Sequence, residues 1–65
     1  GVVHYKRSAV MAVTYRLFLA ELKRLEALAG RSYAEYGEPA EKRADSMADE
    51  WVSSQGMGPF VFEDV

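Results

Sequence analysis

Three carboxylates at helical spacing are the first candidates for chemistry in this chain. Glu41, Asp45 and Asp49 recur every four residues, which places them on one side of a helix. Such a row could bind a hard cation or dock a basic partner. The sequence has neither a facing Glu-x-x-His motif nor an EF-hand loop, so we expect no metal site and no cofactor. The alternative is a solvated face that Arg16 and Lys23 neutralise from another helix.

Catalysis by a nucleophile finds little support in the sequence. A serine nucleophile needs a nearby base that a third group orients. The chain contains a single histidine, His4, and it lies near the N-terminus. Hydrolysis by two carboxylates needs a cleft, which a two-helix protein lacks. We therefore predict that the chain is not an enzyme.

Charge is distributed unevenly along the 65 residues. The net charge is −2, but residues 1–31 carry +4 and residues 32–65 carry −6. The overall acidity and the lack of a Gly-rich phosphate loop argue against nucleic acid as the partner. A small dimeric, antitoxin-like regulator that contacts nucleic acid through Lys6, Arg7 and Arg16 stays open as an alternative function.

The longest helical pattern covers about residues 8–29. Ser8 is a candidate N-cap, and Gly30 suits the left-handed position after the helix. Residues 30–38 form a connection, in which Ser32 begins a capping box and one helical turn ends at Gly37. Apolar residues at spacings of three and four predict a stripe facing the core: Met11, Tyr15, Phe18, Leu22, Leu25 and Ala29.

A second helix covers about residues 39–54, and an extended tail covers residues 56–65. The second helix has its own predicted core stripe, in which Trp51 is the largest member. Phe60 and Phe62 favour a strand in the tail. That strand could pair with the chain's own N-terminus or add to the sheet of another protein, and disorder is the alternative.

The first half of the first helix carries more apolar surface than one neighbouring helix can cover. Val10, Val13, Leu17 and Leu19 lie outside the predicted core stripe. Leaving such side chains in water forgoes about 1.5–3 kcal/mol each in a domain too small to be very stable. We expect a second protein chain to cover them, or else the two termini to fold back over them.

These patterns predict an all-α fold in a single small domain, residues 1–65. It is an antiparallel two-helix hairpin with short extended termini that could pair as strands, self-associating into a helical bundle.

The predicted function is a small non-enzymatic interaction module, such as an accessory subunit, inhibitor or assembly factor. Its partner is a protein or a second copy, contacted through the apolar face, the acidic row, Phe60 and Phe62. A small subunit of a multi-chain enzyme is another alternative. The lack of cysteine and of a long apolar run leads us to expect a cytoplasmic location and no membrane contact.

Overall fold

The computed structural model describes residues 3–55 and 60–63. This part of the chain is mostly helical and contains one two-stranded sheet, which is formed by terminal segments whose strand pairing the sequence leaves open. A 3-10 turn lies between the two helices. The elements in chain order are β1 (Val3–Lys6), α1 (Arg7–Ala29), the turn (Tyr33–Tyr36), α2 (Ala40–Gln55) and β2 (Phe60–Glu63).

The ends of α1 agree with the sequence at one terminus and differ at the other. The helix begins at Arg7, and Lys6 takes the N-cap position without a side-chain hydrogen bond. The prediction of Ser8 as N-cap is wrong, because β1 runs directly into the helix and Ser8 is already helical. Gly30 ends the helix with a φ of 68°, and its N–H donates to the carbonyl of Glu26, as the sequence predicts.

The connection holds half of the predicted capping box. The Ser32 hydroxyl accepts a hydrogen bond from the N–H of Ala34 at 3.2 Å. Glu35 does not complete the box, because its carboxylate accepts a hydrogen bond from Arg31 at 3.2 Å instead. Gly37, with a φ of 93°, ends the 3-10 turn as predicted.

The core between the helices is built on small side chains. The buried row on α2 has a spacing of four throughout, so Trp51 lies to one side of it and is 42% exposed. The prediction of Trp51 as a core residue is therefore wrong, because the alanines and not the tryptophan face α1. In the part of the chain whose burial is described, the buried apolar residues are Leu22, Ala40, Ala44, Ala48 and Val52.

The core stripe of α1 is shorter than the sequence predicts. Met11, Tyr15 and Phe18 are half-buried, the last two of them against the core around Leu22, but Leu25 and Ala29 are exposed. A salt bridge between Lys23 and Glu41 shows that the start of α2 is level with residue 23. The last turn and a half of α1 therefore extends beyond α2.

The two terminal segments pair as parallel strands. The pairing runs from Val3 with Phe60 to Lys6 with Glu63, so the prediction of strand-paired termini is confirmed for these residues. The two helices together form the crossover that a parallel pair requires. Residues 1–2 and the remaining tail residues, 56–59 and 64–65, lie outside the described residues.

Candidate interaction surface

An apolar groove runs along the first half of α1 and reaches the end of α2. Its cavity volume is about 340 Å³. The hydroxyl of Thr14 donates a hydrogen bond to the Val10 carbonyl at 2.6 Å. We call this feature the Trp51 groove, and its lining is Ala9, Val10, Val13, Thr14, Leu17 and Trp51.

Two large aliphatic residues of α1 stand exposed in the Trp51 groove. Val13 is 56% exposed and Leu17 is 67% exposed. They lie one helical turn apart, so their side chains form a single ridge. The strands do not bury them, although covering by the termini was one of the two explanations that the sequence left open.

The other two candidates from the sequence occupy different surroundings. Val10 is half-buried, and with Trp51 it also lines an open pocket of about 200 Å³ whose other walls are Tyr5 and Phe62 of the strands. The apolar surface therefore continues from the groove to the sheet. Leu19 packs against the core around Leu22 and does not share the surface of Val13 and Leu17.

The acidic row of α2 is largely neutralised within the chain. Glu41 lies 3.1 Å from the Lys23 ammonium, and Asp49 lies 2.7 Å from the Arg7 guanidinium. The pKa of Glu41 is lowered first by a hydrogen bond from its own backbone N–H and then by Lys23, whose own pKa Glu41 raises. Asp45 is exposed, and within the described residues it makes no salt bridge. The row is thus an intramolecular contact at two of its three positions.

Several residues of the predicted tail contact the other strand of this chain. The rings of Tyr5 and Phe62 have their centroids 6.0 Å apart. The His4 ring nitrogen lies 2.8 Å from the Glu63 carboxylate. Phe60 pairs through its backbone with Val3. Within the predicted tail, Phe60–Glu63 therefore form a strand of this protein's own sheet.

A second exposed apolar surface lies at the C-terminal end of α1, where this helix extends beyond α2. The sequence analysis does not predict it. Leu25, Leu28 and Ala29 meet the 3-10 turn around a cavity of about 540 Å³. The excess length of α1 could have signalled it only if the position of α2 along α1 were known. The charged groups here already have partners, because Arg31 lies 4.9 Å from the centre of the Tyr36 ring and bonds to Glu35.

Glu26 fixes the turn beside this second surface. Its carboxylate accepts a hydrogen bond from the N–H of Tyr33 at 2.6 Å and lies 3.6 Å from Lys23. Only 14% of the Glu26 side chain is exposed. The backbone donor at Tyr33 lowers the pKa of Glu26. The role of Glu26 is therefore to position the connection between the helices.

Three further observations concern metal binding, membrane insertion and similarity to known proteins. Among the described residues, no three His, Asp or Glu side chains cluster closely enough to hold a metal ion. Neither described helix combines the length and the apolar character needed to cross a bilayer. No family model matches the sequence, and comparison with curated proteins and with solved structures also finds no similar protein.

Proposed function

We propose that this chain is a small non-enzymatic interaction module, and that a protein covers its Trp51 groove. The observation that supports this most strongly is the exposure of Val13 and Leu17 side by side in an otherwise apolar recess. Contiguous exposed apolar surface of this kind is typical of protein contact sites. The module is an antiparallel helical hairpin that associates into a helical bundle.

The Trp51 groove suits this role better than the surface at the end of α1. None of the described residues that line the groove is charged, and the Thr14 hydroxyl is hydrogen-bonded within the helix. Desolvating it therefore breaks no existing ion pair or hydrogen bond. At the other surface a partner would have to displace Arg31 from Tyr36, or cover charges that already have partners. We also propose a cytoplasmic location, which the lack of cysteine supports.

Site-specific photo-crosslinking tests the proposal in cells that express the chain naturally. A photoreactive phenylalanine analogue is placed at position 17, in the groove. The matched control places it at Ala27, an exposed residue of the same helix that does not line the groove. We expect one dominant crosslinked protein species from position 17 and none from position 27. Equal, diffuse crosslinking from both positions would contradict the proposal.

A further inference from the structure

A separate cavity lies at the C-terminal end of α1, and it shares no lining residue with the Trp51 groove. Its volume is about 540 Å³, which is typical of sites for small organic molecules. We call it the Leu28 cavity. One wall is the end of α1, with Leu25, Leu28 and Ala29, and the facing wall is the 3-10 turn, with the rings of Tyr33 and Tyr36.

The apolar part of the Leu28 cavity is open to solvent. Leu28 is 72% exposed, more than any other large apolar side chain described. The rings of Tyr33 and Tyr36 are tilted by 56°, with their centroids 6.5 Å apart. A tilted pair of this kind can pack a further ring against its edges. Covering these side chains therefore favours a ligand with an aromatic or branched aliphatic body.

Glu26 and Arg31 both line the Leu28 cavity, and they differ in how far their polar atoms are already engaged. The Glu26 carboxylate accepts the Tyr33 N–H with one oxygen and lies 3.6 Å from Lys23 with the other. Arg31 uses only its Nε, which donates to Glu35. Within the described residues its two Nη atoms make no hydrogen bond or ion pair, and its side chain is 58% exposed. The free hydrogen-bonding capacity beside the cavity therefore belongs to the cation and favours an anionic ligand.

The chain's own contacts hold Arg31 in place. Its guanidinium carbon lies 4.9 Å from the centre of the Tyr36 ring, and its backbone N–H donates to the Glu26 carbonyl at 3.2 Å. A guanidinium fixed in this way can donate in parallel to both oxygens of a carboxylate, with little further loss of freedom. We propose that the Leu28 cavity binds a small organic carboxylate whose charged group lies on the Nη atoms of Arg31 and whose apolar body lies between Leu28 and Tyr36.

A small molecule suits the Leu28 cavity better than a protein segment does. Its carboxylate would occupy only the free nitrogens, so Arg31 would keep its contacts with Tyr36 and Glu35. A protein covering the same surface would also remove water from the exposed Glu35 carboxylate. Repulsion between the ligand and Glu26 is offset by Lys23.

Titration of the full isotope-labelled chain, followed by NMR, tests this site with naphthylacetate and isovalerate as probes. We expect saturable shifts of the amide signals in the last turn of α1 and in the 3-10 turn. Naphthylacetamide, which has the same body but no charge, should bind at least about tenfold more weakly.

Variants of the chain separate the charged contact from the apolar one. Arg31→Gln should weaken naphthylacetate binding at least about tenfold, because it removes the cation. Leu28→Ser should weaken binding of both probes, and since Leu28 is exposed the fold should persist. Arg16→Gln is the matched control, because Arg16 is an exposed arginine of the same helix that does not line the cavity, and it should leave binding unchanged.

Three outcomes would overturn the site. The first is the absence of saturable shifts with both carboxylates. The second is binding of naphthylacetate that neither the amide analogue nor Arg31→Gln weakens. The third is a set of shifts confined to the Trp51 groove, which would leave the crosslinking test of the proposed function unaffected. Circular dichroism of each variant verifies that the helices persist.

Discussion

Val52 is fully buried, whereas its neighbour Trp51 is 42% exposed. Successive residues of a helix point about 100° apart, so the two cannot both face α1. The alanine row of α2 continues into Val52, and its members Ala40 and Ala44 pack in one buried cluster with Leu22 of α1. Trp51 is consequently left at the edge of the helix pair, where it forms one wall of an apolar groove.

The alanine row predicts a strong penalty for larger side chains. Ala44 is completely buried, so Ala44→Leu should force the helices apart and destabilise the fold by about 1–3 kcal/mol. Ala27→Leu is the control, because Ala27 is exposed on α1, and its effect should stay within about 0.5 kcal/mol. Urea denaturation followed by circular dichroism measures both. Equal effects at the two positions would show that the helices do not meet along this row.

We predict that replacing Gly30 lowers the stability of the fold through backbone strain and not through packing. A side chain at this position would meet no atom within 4 Å, but the φ of 68° is strained for any residue other than glycine. Gly30→Ala should therefore cost about 1 kcal/mol of unfolding free energy. Gly30→Asn should cost less, since asparagine tolerates the left-handed region better. Thermal melts of the three proteins check this order, and an alanine variant as stable as the original would contradict the helix end described above.

Glu26 predicts a pH-dependent contribution to stability. Its pKa is lowered in the folded chain, chiefly by the N–H of Tyr33, so the folded state binds the proton less tightly than the unfolded state. The contribution is then present above the unfolded pKa of about 4.3, and it is lost as the pH falls through the lower folded value. Glu26→Gln should lower the melting temperature at pH 7 and have a much smaller effect at pH 3. An effect of the same size at both pH values would show that the charge of Glu26 does not stabilise the turn.

The sequence predicts the local structure of this chain better than its packing. The position of α1, the left-handed Gly30 and the break at Gly37 follow from residue types that act through their own backbone, and all three are confirmed. The core assignment of Trp51 and Leu25 is wrong, because it depends on which face of α2 meets α1 and how far α2 extends along it. Hydrophobic periodicity shows which side of one helix is apolar, but it does not show how two helices are aligned with each other.

The candidate interaction surface shows the same difference between features that the sequence predicts and features that depend on packing. Val13 and Leu17 were selected from the pattern because one neighbouring helix cannot cover them, and the structure leaves both exposed. Of the two cations that the sequence predicts as partners of the acidic row, Lys23 reaches Glu41, but Arg7 and not Arg16 reaches Asp49, because the pairing depends on how α2 lies along α1. The parallel direction of the strands also depends on that arrangement, and it places Phe62 beside Tyr5 of this chain.

Self-association of the chain through the Trp51 groove is tested most directly with Trp51 itself, which is the only tryptophan in the chain. Its fluorescence is measured with acrylamide as quencher, at increasing concentrations of the purified chain and of the L17D variant. We predict that quenching of the original chain decreases as its concentration rises, because a second copy shields Trp51, while the variant stays fully quenchable. Quenching that is independent of concentration and identical in the two proteins would contradict a second copy in the groove.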